Sequence, residues 1–189
     1  MTARRGLTAQ IVIAAAAELV DAEGVSALTF SRVARELGVK PPSLYNHVDS
    51  LESLRRDLAL HVFDELSELL GVAAMGRSGK DGLQAVADAI RRYTSAHPGL
   101  YLLSAETRID DDELVARSFR AVEPVMAILR GFNLDDDEAI HAARTLRAAI
   151  HGFVSLERTG GFGLDVDVDA SFAWLVDRLA ETIETTVKQ

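Results

Sequence analysis

Ser43, Leu44, Tyr45, Asn46 and His47 follow directly on two adjacent prolines, Pro41 and Pro42. Four of these five side chains hydrogen-bond, and their types suit the reading of a nucleic-acid edge better than bond making. Asparagine offers the paired donor and acceptor that match adenine, and serine can bond either groove partner. Tyrosine and histidine suit phosphate, while proline rings give apolar surface to thymine methyls. At about 100° per residue, Leu44 and Val48 fall together and face a core with Val33, Leu37 and Val39. Pro42, Ser43 and Asn46 fall opposite them, with Tyr45 and His47 on the flanks.

The elements around this stretch must hold it in place. Proline inside a helix costs about 3 kcal/mol but is tolerated in the first turn, so the pair marks a helix start. Lys40, preceding proline, is pushed towards extended backbone, which makes Gly38-Val39-Lys40 a tight turn. Thr29 caps a short helix carrying Phe30, Val33 and Leu37 inward and ended by Gly38. Two short helices joined by a three-residue, glycine-containing turn form a helix-turn-helix. Thr29 can then present hydroxyl and amide to phosphate, with Ser31 in the same first turn. Thr8 caps a first helix with Ile11, Ala15, Leu19 and Val20 on one face, stopping before Gly24. Arg4 and Arg5 ahead of it form either a basic arm for the backbone or minor groove, or a plain disordered tail. Ser50 caps a long helix with Leu51, Leu54, Leu58, Val62, Leu66 and Leu69 inward.

With those residues in view, "LTFSRVARELGVKPPSLYNHVDSLESLRRDL" and the helix before it resemble the DNA-binding domain of tetracycline-repressor-type (TetR-type) regulators. The likeness spans about residues 8–60 and rests on the threonine cap, the Ala34/Gly38 spacing, "Leu-Tyr-x-His-Val" and the leucine-rich helix that follows. It implies DNA contacts at Thr29, Lys40, Pro42, Ser43, Tyr45, Asn46 and His47, beside Ser31 and Pro41. One position departs: where the family commonly places a phosphate-binding lysine, this chain has Leu51 followed by Glu52. Further on, "TLRAAIHGFVSLERTGGFG" resembles the His-Gly-containing helix of one TetR-type C-terminal subfamily, with Ile150 where a tryptophan often lies nearby. That likeness implies architecture and names no small molecule.

The whole-chain numbers bound these readings. A chain of 189 residues, 48% hydrophobic, can bury a sizeable core. Its net charge is −9 with a pI near 5.0. Residues 1–60 hold seven Lys/Arg and seven Asp/Glu, so the acidic excess lies wholly in 61–189. A neutral module can still meet DNA if its basic groups share a face, because phosphate attraction acts over about a Debye length. Without cysteine there is no disulfide framework and no thiolate metal site. No signal-peptide pattern and no apolar run of membrane-spanning length occurs, which gives the expectation of a cytoplasmic protein.

The remaining pattern is helical. The Gly-rich 71–82 stretch precedes a helix from Leu83 to His97, a short apolar piece, "LYLLS", and helices over about 111–130, 135–159 and 170–187. The acid clusters at 110–113 and 135–138 stand at helix starts and read as caps, not as metal sites. "DVDVD" at 165–169 mimics the opening of a calcium loop, but Ala170 replaces its glycine and Val176 its bidentate glutamate, so calcium is excluded. No histidine pair has i,i+4 spacing and no Ser/His/Asp set sits in a nucleophile turn, so no enzyme, metal or cofactor is expected.

Tyr93, Tyr101, Phe119, Met126, His151, Phe153 and Trp174 are the residues from which an effector pocket could draw its lining; their ordinary role is core. Ala139, Ala142, Ala143, Ala148, Ala149 and Gly152 allow close helix approach, and Phe172, Leu175, Val176, Leu179 and Ile183 form an apolar stripe. The pair could complete a four-helix bundle with a second copy.

The expectation is therefore an all-α protein of about nine helices. Residues 1–50 form a three-helix helix-turn-helix domain, linked by helix 50–70 to an effector-binding and dimerisation domain at 51–189. As a homodimer through helices 135–159 and 170–187 it would bind a palindromic double-stranded operator, as a repressor answering a small apolar or amphipathic effector. A helical ligand-binding or scaffolding dimer without operator function is the alternative, motivated by Leu51/Glu52 and the neutral N-terminal module.

Overall fold

The computed structural model describes residues 6–108 and 110–186. Among them are eight α-helices, two 3₁₀ segments and no strand. The helices are α1 (Ala9–Glu23), α2 (Phe30–Glu36), α3 (Leu51–Ala74), α4 (Gly79–Ala96), α5 (Pro98–Glu106), α6 (Asp112–Arg130), α7 (Asp136–Arg158) and α8 (Val168–Thr186). The 3₁₀ segments are Val25–Ala27 and Pro41–Asn46. No helix among the described residues is long and apolar enough to cross a membrane. Arg4 and Arg5 lie outside the described residues.

Local capping chemistry sets most starts. Thr8 and Thr29 each accept a hydrogen bond from the backbone N–H three residues on, at 3.3 Å. Ser50 and Ser53 cap α3 reciprocally, each hydroxyl accepting from the other's backbone N–H at 3.0 Å. Asp135 and Glu138 form a full capping box at α7. The apolar piece after His97 is a helix of its own, opened by Pro98.

One element differs in kind from its sequence reading. The proline segment is a 3₁₀ helix, whereas 100° per residue assumed an α-helix. Pro41 and Pro42 carry no N–H, so the first donor is Ser43, which bonds back three residues to the Lys40 carbonyl at 2.9 Å. At the far end His47 N–H bonds three residues back to Leu44, also at 2.9 Å. The burial assignment survives: Leu44 and Val48 are both inside.

The chain divides into two compact units. The first joins the described part of Met1–Phe63 to His97–Ser118. Its core gathers Val12, Val20, Leu28, Val33, Leu44, Leu54 and Leu58 with Leu100, Leu103 and Leu114. The second joins Asp64–Ala96 to the described part of Phe119–Gln189, with Leu83, Val86, Leu129, Leu146, Ile150, Phe172 and Val176 inside. In this unit Leu66 and Leu69 of α3, expected inward, are half-buried, and Leu70 is the buried leucine. Leu175, Leu179 and Ile183 of α8 are likewise half-buried beside fully buried Phe172, Val176 and Ala180.

Candidate nucleic-acid interface

The turn between α2 and the 3₁₀ segment fixes where the side chains of that segment point. Gly38 takes φ +65°, which side-chain-bearing residues rarely adopt, and ends α2. Val39 N–H bonds to the Ala34 carbonyl at 2.9 Å and Gly38 N–H to the Arg35 carbonyl at 3.1 Å. These two bonds define a Schellman motif, which satisfies two of the carbonyls a helix end leaves open. Lys40 follows in extended backbone at φ −84°, ψ 144°, as a pre-proline residue should.

Burial then sorts the segment. Leu44 and Val48 plug it into the core beside Val33 and Ala34. Lys40, Pro41, Pro42, Tyr45 and Asn46 are exposed, with Ser43 and His47 half-buried. Tyr45 is 58% exposed, yet its ring is not loose. It meets Phe30 edge-on, with centroids 4.8 Å apart and planes at 88°. The tyrosine body is thus pinned to the first residue of α2 while its hydroxyl stays at the surface. Thr29 and Ser31 are exposed at the start of that same helix. Thr29 Oγ1 is occupied as an acceptor by Arg32 N–H, which leaves its hydroxyl hydrogen to donate outward.

Charge on this unit is partly spoken for. Arg32 is paired with Glu23, and Arg56 with Asp111 and Glu113. Among the described residues of this unit, Lys40, Arg35 and Arg55 carry no ion pair. The Arg56 clamp is bidentate, with Nε 2.7 Å and Nη2 3.0 Å from the two Asp111 oxygens. Asp111 also accepts from the backbone N–H of Glu113 and Leu114 at the start of α6. The Arg56 guanidinium and these amides hold the Asp111 carboxyl down to about 2, and the same bonds push Arg56 up. The 110–113 acid cluster is therefore a cap and a clamp, and no group of acidic or histidine side chains among the described residues could hold a metal.

The Phe30 contact with Tyr45 and the Arg32 pair with Glu23 escaped the sequence reading. Phe30 stands at the right spacing for a core position, and nothing in its spacing shows that its ring edge serves Tyr45.

The second unit holds a different kind of centre. Arg91 of α4 bonds Glu157 of α7 through two nitrogens and Asp169 of α8 at 2.8 Å. Its guanidinium lies 4.8 Å over Phe172 and 5.8 Å over Phe153. The Phe153 ring in turn meets Phe162 and Phe172 at 4.7 and 5.1 Å. Of the seven effector candidates, Phe153 alone belongs to this hub. Tyr93 is buried, its hydroxyl donating to Glu65 at 2.7 Å. Met126 and His151 are half-buried, while Phe119 and Trp174 are 72% and 65% exposed. Tyr101 is half-buried on α5, in the first unit. The structure does not gather the seven. A cleft of about 660 Å³ in the first unit is lined by Ser53, Arg55, Arg56, Leu103, Thr107 and Leu114, among others. A second, of about 530 Å³, lies over Gln84, Asp88, Arg91, Arg92, Asp169 and Phe172. None of the seven lines either one.

Comparison with known proteins places these features. Residues 12–58 match the profile described as bacterial regulatory proteins, tetR family, and residues 83–179 the tetracyclin repressor-like C-terminal domain. The HTH-type transcriptional regulator Rv0681 of Mycobacterium tuberculosis is 42% identical over 182 residues, covering 94% of this chain and 82% of that protein. The HTH-type transcriptional regulator YobS of Bacillus subtilis is 30% identical, covering 93% and 92%. The crystal structure of TetR-Q116A from Acinetobacter baumannii AYE in complex with minocycline superposes with a TM-score of 0.71 at 22% identity, covering 95% of this chain and 98% of that one. That family and these relatives are regulators, not enzymes. Both halves of the fold and the relatives agree, and the chain belongs to the TetR family of transcriptional regulators.

Proposed function

We propose that the chain is a ligand-responsive repressor that binds a palindromic operator as a homodimer. The observation that carries this reading is the polar, outward set on Pro41–His47, anchored by the Gly38 turn and by Phe30 under Tyr45. Asn46 and Ser43 read base edges, Pro41 and Pro42 meet thymine methyls, and Lys40, Tyr45 and His47 bind phosphate. Thr29 and Ser31 seat the start of α2 on the backbone. Residues 1–50 serve as the DNA-binding domain, and 51–189 as the effector-binding and dimerisation domain. A single helix-turn-helix reads half a site, so two copies are needed, their reading segments ~34 Å apart. The contact between copies is assigned to α7 and α8, where Ile140, Leu156 and Trp174 are exposed. Such a regulator works in the cytoplasm, beside its operator.

The minocycline complex of the similar A. baumannii protein supports a small-molecule effector here, drawn from apolar or amphipathic compounds. Its lining residues are assigned within the second unit, among Tyr93, Phe119, Met126, His151, Phe153 and Trp174. A coupling of ~1–3 kcal/mol would change operator affinity about 5- to 150-fold. The test is selection from a random duplex pool by the purified protein. A palindrome is expected, whose binding Asn46→Ala and Tyr45→Ala weaken. Recovery of no preferred sequence would sink the operator reading.

A further inference from the structure

Helices α1 and α5, 76 residues apart at their closest bonded pair, meet with no room to spare. A β-carbon built on Gly99 would stand 2.6 Å from the Val20 carbonyl carbon and closer still to its oxygen. Any side chain at 99 would force the two backbones apart. One residue on, Asp21 faces the start of α5 and accepts two hydrogen bonds. His97 donates through Nδ1 at 2.8 Å and the Leu100 backbone N–H donates at 2.9 Å. Leu100 is the third residue of α5, so its N–H has no partner inside the helix. His97, at the cap position, supplies no side-chain acceptor for it. Asp21 therefore caps α5 from a different helix, with its negative charge at the positive end of the dipole.

The consequence runs towards the DNA-reading face. α5 also packs on the Val25–Ala27 segment, which leads through buried Leu28 to Thr29. The seat of α5 on α1 thus sets the height of the turn that delivers Thr29 and the first residue of α2, Phe30, on which Tyr45 leans. We propose that Asp21 is a positioning residue for operator binding, the post of a latch that makes residues 97–106 part of the reading head. This inference rests on the operator reading above. Asp21 makes no base or phosphate contact in it; its effect passes through the Val25–Ala27 turn.

The test uses full-length Asp21→Ala, Asp21→Asn and Gly99→Ala, with Ile150→Val as a control for lost core packing in the second unit. Affinity for the selected duplex is read by fluorescence anisotropy at temperatures where circular dichroism is native, together with amide hydrogen exchange. Asp21→Ala and Gly99→Ala are expected to weaken binding about 5- to 10-fold, within the usual range of coupling between distinct sites. Exchange should rise at 25–30, and Ile150→Val should change neither quantity. The slope of log affinity against log salt should stay at the wild-type value, because no phosphate contact is lost. Asp21→Asn keeps an acceptor for Leu100 and should fall between, and it decides the matter if Asp21→Ala does not fold. Wild-type affinity and unchanged exchange in the latch variants overturn the proposal, and so does an equal loss in Ile150→Val. Wild-type protein that selects no DNA overturns the operator reading and this inference with it, an outcome seen before any variant is made.

Discussion

Two aromatic rings show how differently the units hold their surfaces. Tyr45 leans on Phe30 within one short motif, and the bonds around it span three to five residues. Phe153 sits between Phe162 and Phe172 under Arg91, whose carboxylate partner Glu157 lies 66 residues along the chain. The first arrangement is itself built by turn chemistry, with α5 bearing only on the turn that delivers α2. The second gathers α4, α7 and α8 around one cation, so a single change there is felt by three helices. A local surface can be altered at its tip without loss of stability; a hub cannot.

That contrast can be broken or sharpened by measurement. The largest effect is expected for Arg91→Leu, which leaves Glu157 and Asp169 unpaired beside the aromatic cluster. Its urea-unfolding free energy should fall by about 2–3 kcal/mol, while operator affinity below the transition stays native. A matching loss of DNA binding would erase the distinction between the units. Asn46→Ala should do the reverse, weakening operator binding by about 2 kcal/mol, roughly 30-fold, with unfolding unchanged. Phe30→Leu removes the ring under Tyr45 and should cost about 1 kcal/mol in operator affinity; no change in titration would mean that Tyr45 stands unaided.

Acid should act on the Arg56 clamp. Asp111 titrates near 2 in the folded protein and near 4 when unfolded. Its contribution is complete above about pH 4 and is lost as pH falls through 2. The slope of stability against pH between 4 and 2 should therefore shrink in Asp111→Asn, and an identical slope would discount the clamp. The effect is small because the pair is solvent-accessible. Smallest of all, Phe119→Ser should alter monomer stability by no more than about 0.5 kcal/mol. A large loss would place that exposed ring in an interface or pocket.

The same contrast explains what could be read from the letters. The helix-turn-helix was legible because its signals are short-range: threonine caps, a glycine after α2, a proline pair, apolar spacing of one turn. The capping roles of both acid clusters were legible for the same reason. The 3₁₀ geometry was not, since the period assumed was the commoner one, and prolines in the first turn suit either helix. Phe30 under Tyr45, Asp21 on α5 and the Arg91 hub were out of reach, because each joins residues that no local period connects. Trp174 has its own arginine, Arg178, over the ring and stands apart from the Arg91 hub; aromatic identity says that a ring will find company, not which company.

The 3₁₀ form of Pro41–Asn46 bears on how the operator is spelled. With three residues per turn, side chains three apart eclipse one another, so Ser43 and Asn46 stand in one column and Pro42 and Tyr45 in the next. At about 2 Å of rise per residue, the members of a column are ~6 Å apart, close to two base-pair steps of a duplex. In the reading proposed above, Ser43 and Asn46 then address letters two apart and share one track. A preference at one letter should depend on which residue reads the other, so the recognition sequence would be written in pairs.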